Sequence, residues 1–163
     1  MNADAFRQYY NYHFAMSRFM WDSYIEPLSQ EQFTRELGYS HGSVRNQLVH
    51  MANVDRAWFS DLRGVVPPDE PDEQAFNDRQ ALRAYWDQVE QEMRAYLAGL
   101  KDEQLFEKPL KGEDENLILW QVLLHVVNHG TDHRAQALRM LNDLGVQTTS
   151  QDYVFYLYDV QGA

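Results

Sequence analysis

The chain has 163 residues, 44% of them apolar, a formal charge of −11 and no cysteine. That length supports a single domain, residues 1–163, with a proper core. The missing cysteines exclude disulfides, thiolate zinc sites and a cysteine nucleophile, and so acidic a surface is a poor partner for nucleic acid.

Residues 3 to 26 read as a first helix, because Phe6, Tyr9, Tyr10, His13, Met16, Met20 and Tyr24 recur at intervals of three and four. Pro27 ends it. His13 lies on this stripe and reads as a core histidine or one that supports a ligand. Residues 28 to 42 form a connection with one short turn around Glu31 to Glu36, and His41 reads as an exposed loop residue. A second helix starts near Ser43, a good N-cap. Its stripe runs Val44, Leu48, Met51, Asp55, Trp58, Leu62, with Asp55 as the polar exception, and Gly64 is placed to end it. His50 sits beside this stripe, and its position alone does not decide between a structural and a ligating role.

Residues 64 to 77, GVVPPDEPDEQAFN, hold three prolines and four acidic residues and read as a linker. It is longer than a helix hairpin needs and can carry the chain along the length of a bundle. The third helix starts near Asn77, with Gln80 as capping-box partner, and packs through Leu82, Trp86, Val89, Met93, Tyr96 and Leu100. Residues 101 to 115 read as a loop with one helical turn. The fourth helix runs from about Asn116 to Leu144, with Gly145 just past its end. Gly130, inside it, gives room for a close approach. The tail Tyr153–Tyr158 is aromatic and strand-like in composition, with nothing obvious to pair with; it is placed to lie over one end. Four amphipathic helices joined by polar segments predict an all-α four-helix bundle.

The chemistry concentrates in the fourth helix. Residues 123 to 136 read LLHVVNHGTDHRAQ, with His125, His129 and His133 each four residues after the last. Positions four apart share a helix face, so a pair of these imidazoles can take one metal ion. His50 on helix two can meet His129 and His133 across a bundle core. Three neutral imidazoles without a carboxylate suit zinc, nickel, iron or cobalt, and three protein ligands leave a position open, the catalytic pattern. Rival metal motifs are missing. The residues three before the helical histidines are Gln47, Val122, Val126 and Gly130, so no Glu-x-x-His di-iron signature exists, and neither does HExxH.

The segment Asn128-His129-Gly-Thr-Asp-His133-Arg134-Ala-Gln136 is similar to the N-H-x-x-x-H-R-x-Q pattern of the DinB family of damage-inducible proteins, where Gly often stands in place of Ala135. Gly42-Ser43 followed by Leu48-Val49-His50-Met51 resembles the helix-two segment of that family, and Asp152–Leu157 resembles its tail. The resemblance implies an up-down-down-up bundle with a long crossover between helices two and three, frequent homodimers, a link to stress response, and a divalent-metal site. It carries ligation onto His50, His129 and His133 and not onto His125. Relatives in the wider superfamily are thiol-dependent transferases and isomerases that use bacillithiol or mycothiol. The expected function is therefore a metal-dependent enzyme with a small-molecule substrate, a thiol S-transferase, with zinc or nickel the first choice of metal. The alternatives are a non-catalytic metal-binding bundle and a metal-dependent hydrolase. The aromatic content suggests a pocket suited to an apolar electrophile. No run of about 18 apolar residues exists, so no membrane span is expected, and MNADAFRQYYNYHF has no secretory pattern. A cytoplasmic location is the default expectation.

Overall fold

The computed structural model describes residues 1–66 and 69–161, so Pro67 and Pro68 of the expected linker lie outside the described residues. Among the described residues every regular element is helical. Six α-helices follow one another: α1 (Ala3–Met20), α2 (Gln30–Thr34), α3 (Val44–Leu62), α4 (Arg79–Ala98), α5 (Leu119–Asp143) and α6 (Tyr153–Gln161). None is long and apolar enough to cross a membrane.

The helix boundaries follow from local hydrogen bonding. The first helix continues past α1 as a wider π turn, Trp21–Ile25, closed by Glu26 N donating to Trp21 O at 2.9 Å, and Pro27 follows. Ser43 caps α3 by accepting from Asn46 N at 3.2 Å. The third long helix begins one residue later than its sequence suggests. Asp78, not Asn77, is the N-cap, with its carboxylate accepting from Gln80 N at 3.0 Å. The fourth begins at Leu119 and not Asn116, because a tight turn takes up the intervening residues: Leu117 N donates to Asp114 O at 2.9 Å and Leu119 N to Glu107 O at 2.9 Å. The linker contains a 3₁₀ turn, Glu73–Phe76, that buries Phe76.

The aromatic tail is helical, not extended. No strand edge exists among the described residues for it to join, and a lone strand would leave its backbone groups unpaired. Instead α6 stacks on α1. The Tyr153 ring meets those of Tyr9 and Tyr12 edge-on at 5.3 and 5.0 Å, and Tyr12 Oη donates to Gln151 O at 2.7 Å.

The four long helices pack in a ring of contacts: α3 on α4 and α5, and α1 on α4 and α5. Their apolar faces build two clusters. One gathers Phe6, Tyr10, Phe14, Phe59, Leu123 and Val127. The other gathers Met20, Ile25, Leu48, Met51, Leu82 and Met140. Between them, on three helices at once, lies a buried polar layer of His13, Asp55 and Arg134, each 1–3% exposed.

Arg134 Nη1 donates to His13 Nδ1 at 3.1 Å, and His13 Nε2 lies 3.2 Å from Asp55 Oδ2. Arginine only donates and a carboxylate only accepts. The geometry therefore assigns His13 one neutral tautomer, with Nδ1 accepting and the Nε2 proton given to Asp55. The layer is a cation, a neutral relay and an anion in line. It resolves two points of the sequence. Asp55 breaks the stripe of its helix because it is the counterion of this layer. Gly130 is where His13 enters, since a Cβ there would stand 2.8 Å from His13 Nδ1.

Candidate metal centre

The site grows out of two helices and one loop. On α3, His50 follows Met51's buried face around to a half-buried position. On α5, His129 and His133 flank Gly130 and Arg134, so the helix presents imidazoles on one side of the polar layer while Arg134 points into it. The rings of His50 and His133 are 4.5 Å apart between centroids, those of His129 and His133 4.1 Å, and those of His50 and His129 5.4 Å. Helices α3 and α5 therefore make the three expected rings neighbours, although among the described residues the three histidines whose donor atoms all lie within 4.8 Å of one another are His41, His50 and His133, without His129. His125 lies outside this group. It is exposed, edge-on to Trp58 at 5.2 Å and 5.9 Å from the His129 ring.

Sequence reasoning missed two residues here. His41 is not a free loop residue: it is half-buried and its ring stacks on His50 at 3.9 Å, with His133 at 5.6 Å. Donor atoms of His41, His50 and His133 all lie within 4.8 Å of one another. No helical periodicity reaches a loop residue, so only tertiary structure could recruit it. Gln47, three residues before His50, is fully buried. Its Nε2 donates to His133 Nδ1 at 2.8 Å and to His133 O at 3.1 Å, and its Oε1 accepts from Ser40 Oγ at 2.8 Å. Gln47 thus orients His133 and ties it to the loop. One signal was available: Gln47 lies one turn from His50, on the face toward α5.

The donor set suits a borderline divalent ion. All the donors are neutral imidazoles. His129 Nδ1 is buried with no hydrogen-bond partner among the described residues, the state of a nitrogen held for a ligand or a bound water. Around a tetrahedral ion with bonds of about 2.0–2.1 Å, nitrogens stand about 3.3 Å apart, so the donor atoms of His41, His50 and His133, within 4.8 Å of one another, would have to draw closer to share an ion, and His129 would have to turn toward them. Burial, followed by repulsion from neighbouring histidines, lowers His50 and His129 to about 4; burial and then His41 also lower His133. His50 and His129 are therefore neutral and ready to ligate well below neutrality.

This sets a pH expectation for the metal-free protein. In the unfolded chain these imidazoles take up protons near 6.5, while folded His50 and His129 do so only near 4. Stability is therefore intact above about 6.5 and falls as pH drops toward about 4. Chelator-treated protein should melt at progressively lower temperature across that window, and the double variant His50→Ala/His129→Ala should show a flatter profile. Equal pH slopes in the two proteins would contradict the assignment.

A cavity of about 390 Å³ opens beside His50, lined also by Val49, Asn53, Glu70, Pro71, Asp72 and Glu73. The acidic linker makes one wall, so the approach to His50 is polar and negative.

The family model described as DinB family matches residues 1–161. The chain belongs to the DinB family. The match spans the whole described structure, including the α3 segment with His50, the α5 segment with His129 and His133, and helix α6. No curated protein matches the chain. The DinB family is metal-associated, and three histidines of this chain, His41, His50 and His133, lie close together, a donor set of the kind that could hold a divalent ion.

Proposed function

We propose that this DinB protein binds one divalent ion through His50, His129 and His133 and uses it as an S-transferase, joining a low-molecular-weight thiol to an electrophile. The observation that carries the reading is the His129–His133–His50 cluster with its partnerless His129 Nδ1, beside a cavity that reaches His50. Zinc or nickel is the preferred ion, with iron or cobalt as substitutes. A divalent ion at this place would hold a thiol as thiolate near neutral pH. The chain has no cysteine, so the thiol comes from a cosubstrate.

The protein's own contributions are positional. Gln47 fixes the His133 ring; for His133 Nε2 to hold an ion its Nδ1 must carry the proton, so the Gln47 amide would turn to offer Oε1 as acceptor in place of Nε2. The polar layer braces α5 from behind: Arg134 is the residue after His133, and its bonds to His13 hold that turn in register. Glu70, Asp72 and Glu73 at the cavity favour a substrate with a polar or cationic portion over an apolar electrophile. The aromatic residues that suggest the latter are spent in the core and in the α1–α6 stack.

The reading includes an up-down-down-up bundle. Arg7 meets Leu97 and Arg18 meets Glu90, so α1 and α4 run in opposite directions. Gln47 with His133 and Trp58 with His125 give the same sense for α3 and α5. Asn53 with Tyr85 and Arg63 with Glu92 support α3 and α4 running alike. Tyr10 with Leu123 and His13 with Arg134 support the same for α1 and α5. We also propose a homodimer, for which the half-exposed Phe155 and Tyr158 of α6 offer apolar surface. A monomer mass by light scattering at micromolar concentration would refute it.

The test of function screens low-molecular-weight thiols against model electrophiles with metal-loaded wild type and His133→Ala. Turnover in the wild type that disappears in the variant is the expected result. A coordinatively closed metal that binds no thiol at millimolar concentration would overturn the transferase. A second reading, a non-catalytic metal staple between α3 and α5, is favoured by one observation: His41 offers the further imidazole that a closed shell needs.

A further inference from the structure

We propose that His41 is a loop-borne ligand of the same ion, one that fills a coordination position at rest and gives it up to an incoming ligand when the loop tip from Gly38 to His41 moves. The proposal rests on the reading of His50, His129 and His133 as the helix-borne ligands.

The rings form a line. His50 and His133 lie at its centre, His129 is on one side and His41 on the other: His41 contacts His50 and His133, and His129 contacts the same two. The central pair is therefore shared by two sets of donors, one complete on the helices and one completed by the loop. A loop ring stacked on one helix-borne ring and close to a second needs a reason. No hydrogen bond to the His41 ring exists among the described residues, so capping the loop is not that reason. A shared cation is.

The loop is built to present the ring and to be released. Ser40 and Gly42 both have left-handed backbone, at φ 50° and 85°, which is costly for serine. Position 42 favours glycine because of its left-handed φ of 85°. Two internal bonds close the turn, Leu37 N to Gly42 O at 2.7 Å and Gly42 N to Tyr39 O at 2.9 Å. One clip fastens it to the helices: Ser40 Oγ reaches both Gln47 Oε1 and Gln136 Oε1. Gly38, Tyr39 and Ser40 at the tip are exposed, while Leu37 before them packs against the second apolar cluster, so lifting the tip alone, with Leu37 left in place, uncovers little apolar surface. Because Gln47 also holds His133, opening the clip is felt at a helix-borne ligand.

The test uses the full chain, stripped of metal and titrated with Co²⁺, whose visible absorption reports its coordination shell, and then with free imidazole as competing ligand. Wild type, His41→Ala, Ser40→Ala and His133→Ala are compared. In His41→Ala the Co²⁺ spectrum should change and imidazole should bind roughly tenfold or more tightly, because a resting state open a tenth of the time or less taxes the competitor by that factor. Ser40→Ala, which keeps the imidazole but removes the clip, should shift the imidazole titration in the same direction. A wild-type spectrum and wild-type imidazole affinity in both loop variants, with Co²⁺ binding lost in His133→Ala, would overturn the role of His41 and leave the helix-borne site standing. Undiminished Co²⁺ binding in His133→Ala would overturn both. Complete loss of Co²⁺ in His41→Ala would make the ligand obligatory and overturn its displacement.

Discussion

Purified His133→Ala should carry almost no metal, and among the four clustered histidines its loss should be the most damaging. His133 is within ring contact of His41, His50 and His129 alike, so it belongs to every donor set the cluster can form. It is also the one ring oriented by a buried side chain, Gln47. Removing it leaves no set of imidazoles that shares a common centre. His129→Ala should lose metal as well, and His125→Ala should retain it fully, since His125 faces Trp58 at the surface. Elemental analysis of the three variants checks this. Full metal in His129→Ala would sink the expected ligand set.

Asp55→Ala should be the most destabilising single substitution in the polar layer. Asp55 is the anion of the buried line, and Arg134 is its cation, 1% exposed. With Asp55 gone, Arg134 keeps a buried charge with no counterion, and His13 loses the acceptor for its Nε2 proton. Removing one partner of a buried ionic group costs about 3–5 kcal/mol, which for a domain of this size lowers Tm by roughly 6–20 °C. Asp55→Asn keeps a hydrogen-bond acceptor and should cost less than Asp55→Ala. Thermal melts of the metal-free proteins measure it without interference from ligation. A fall of only a degree or two in Asp55→Ala would mean that the layer does not carry the charge balance ascribed to it.

The sequence made the helices and the helix-borne histidines legible for one physical reason: both are periodic. The stripes of α1, α3, α4 and α5 repeat at three and four, and His129 and His133 repeat at four, so a single chain suffices to place them on faces. His50 was ambiguous from its own helix and became informative only beside α5. What the sequence did not show was whatever depends on packing between distant segments. His41 lies in a loop with no period and reaches the cluster through the left-handed turn at Ser40 and Gly42. Gln47 sits on a buried face where an amide has no composition signal. Asp55 was visible as an exception to its stripe, but its partners come from α1 and α5. Helix α6 was not legible as a helix because its β-branched and aromatic residues give it a strand-like composition, which counts only where a sheet exists to receive it; here the receiving surface is Tyr9 and Tyr12 of α1.

The central claim, a metal ion among His50, His129 and His133, is tested most directly by crystals of the protein loaded with zinc or nickel, with diffraction recorded on both sides of the metal's absorption edge. The predicted result is one anomalous peak per chain within bonding distance of His133 and His50 nitrogens, with His129 Nδ1 or Nε2 turned toward it. A peak found only at the carboxylates of Glu70, Asp72 and Glu73, or no peak at the histidines in crystals whose dissolved protein carries stoichiometric metal, would contradict it.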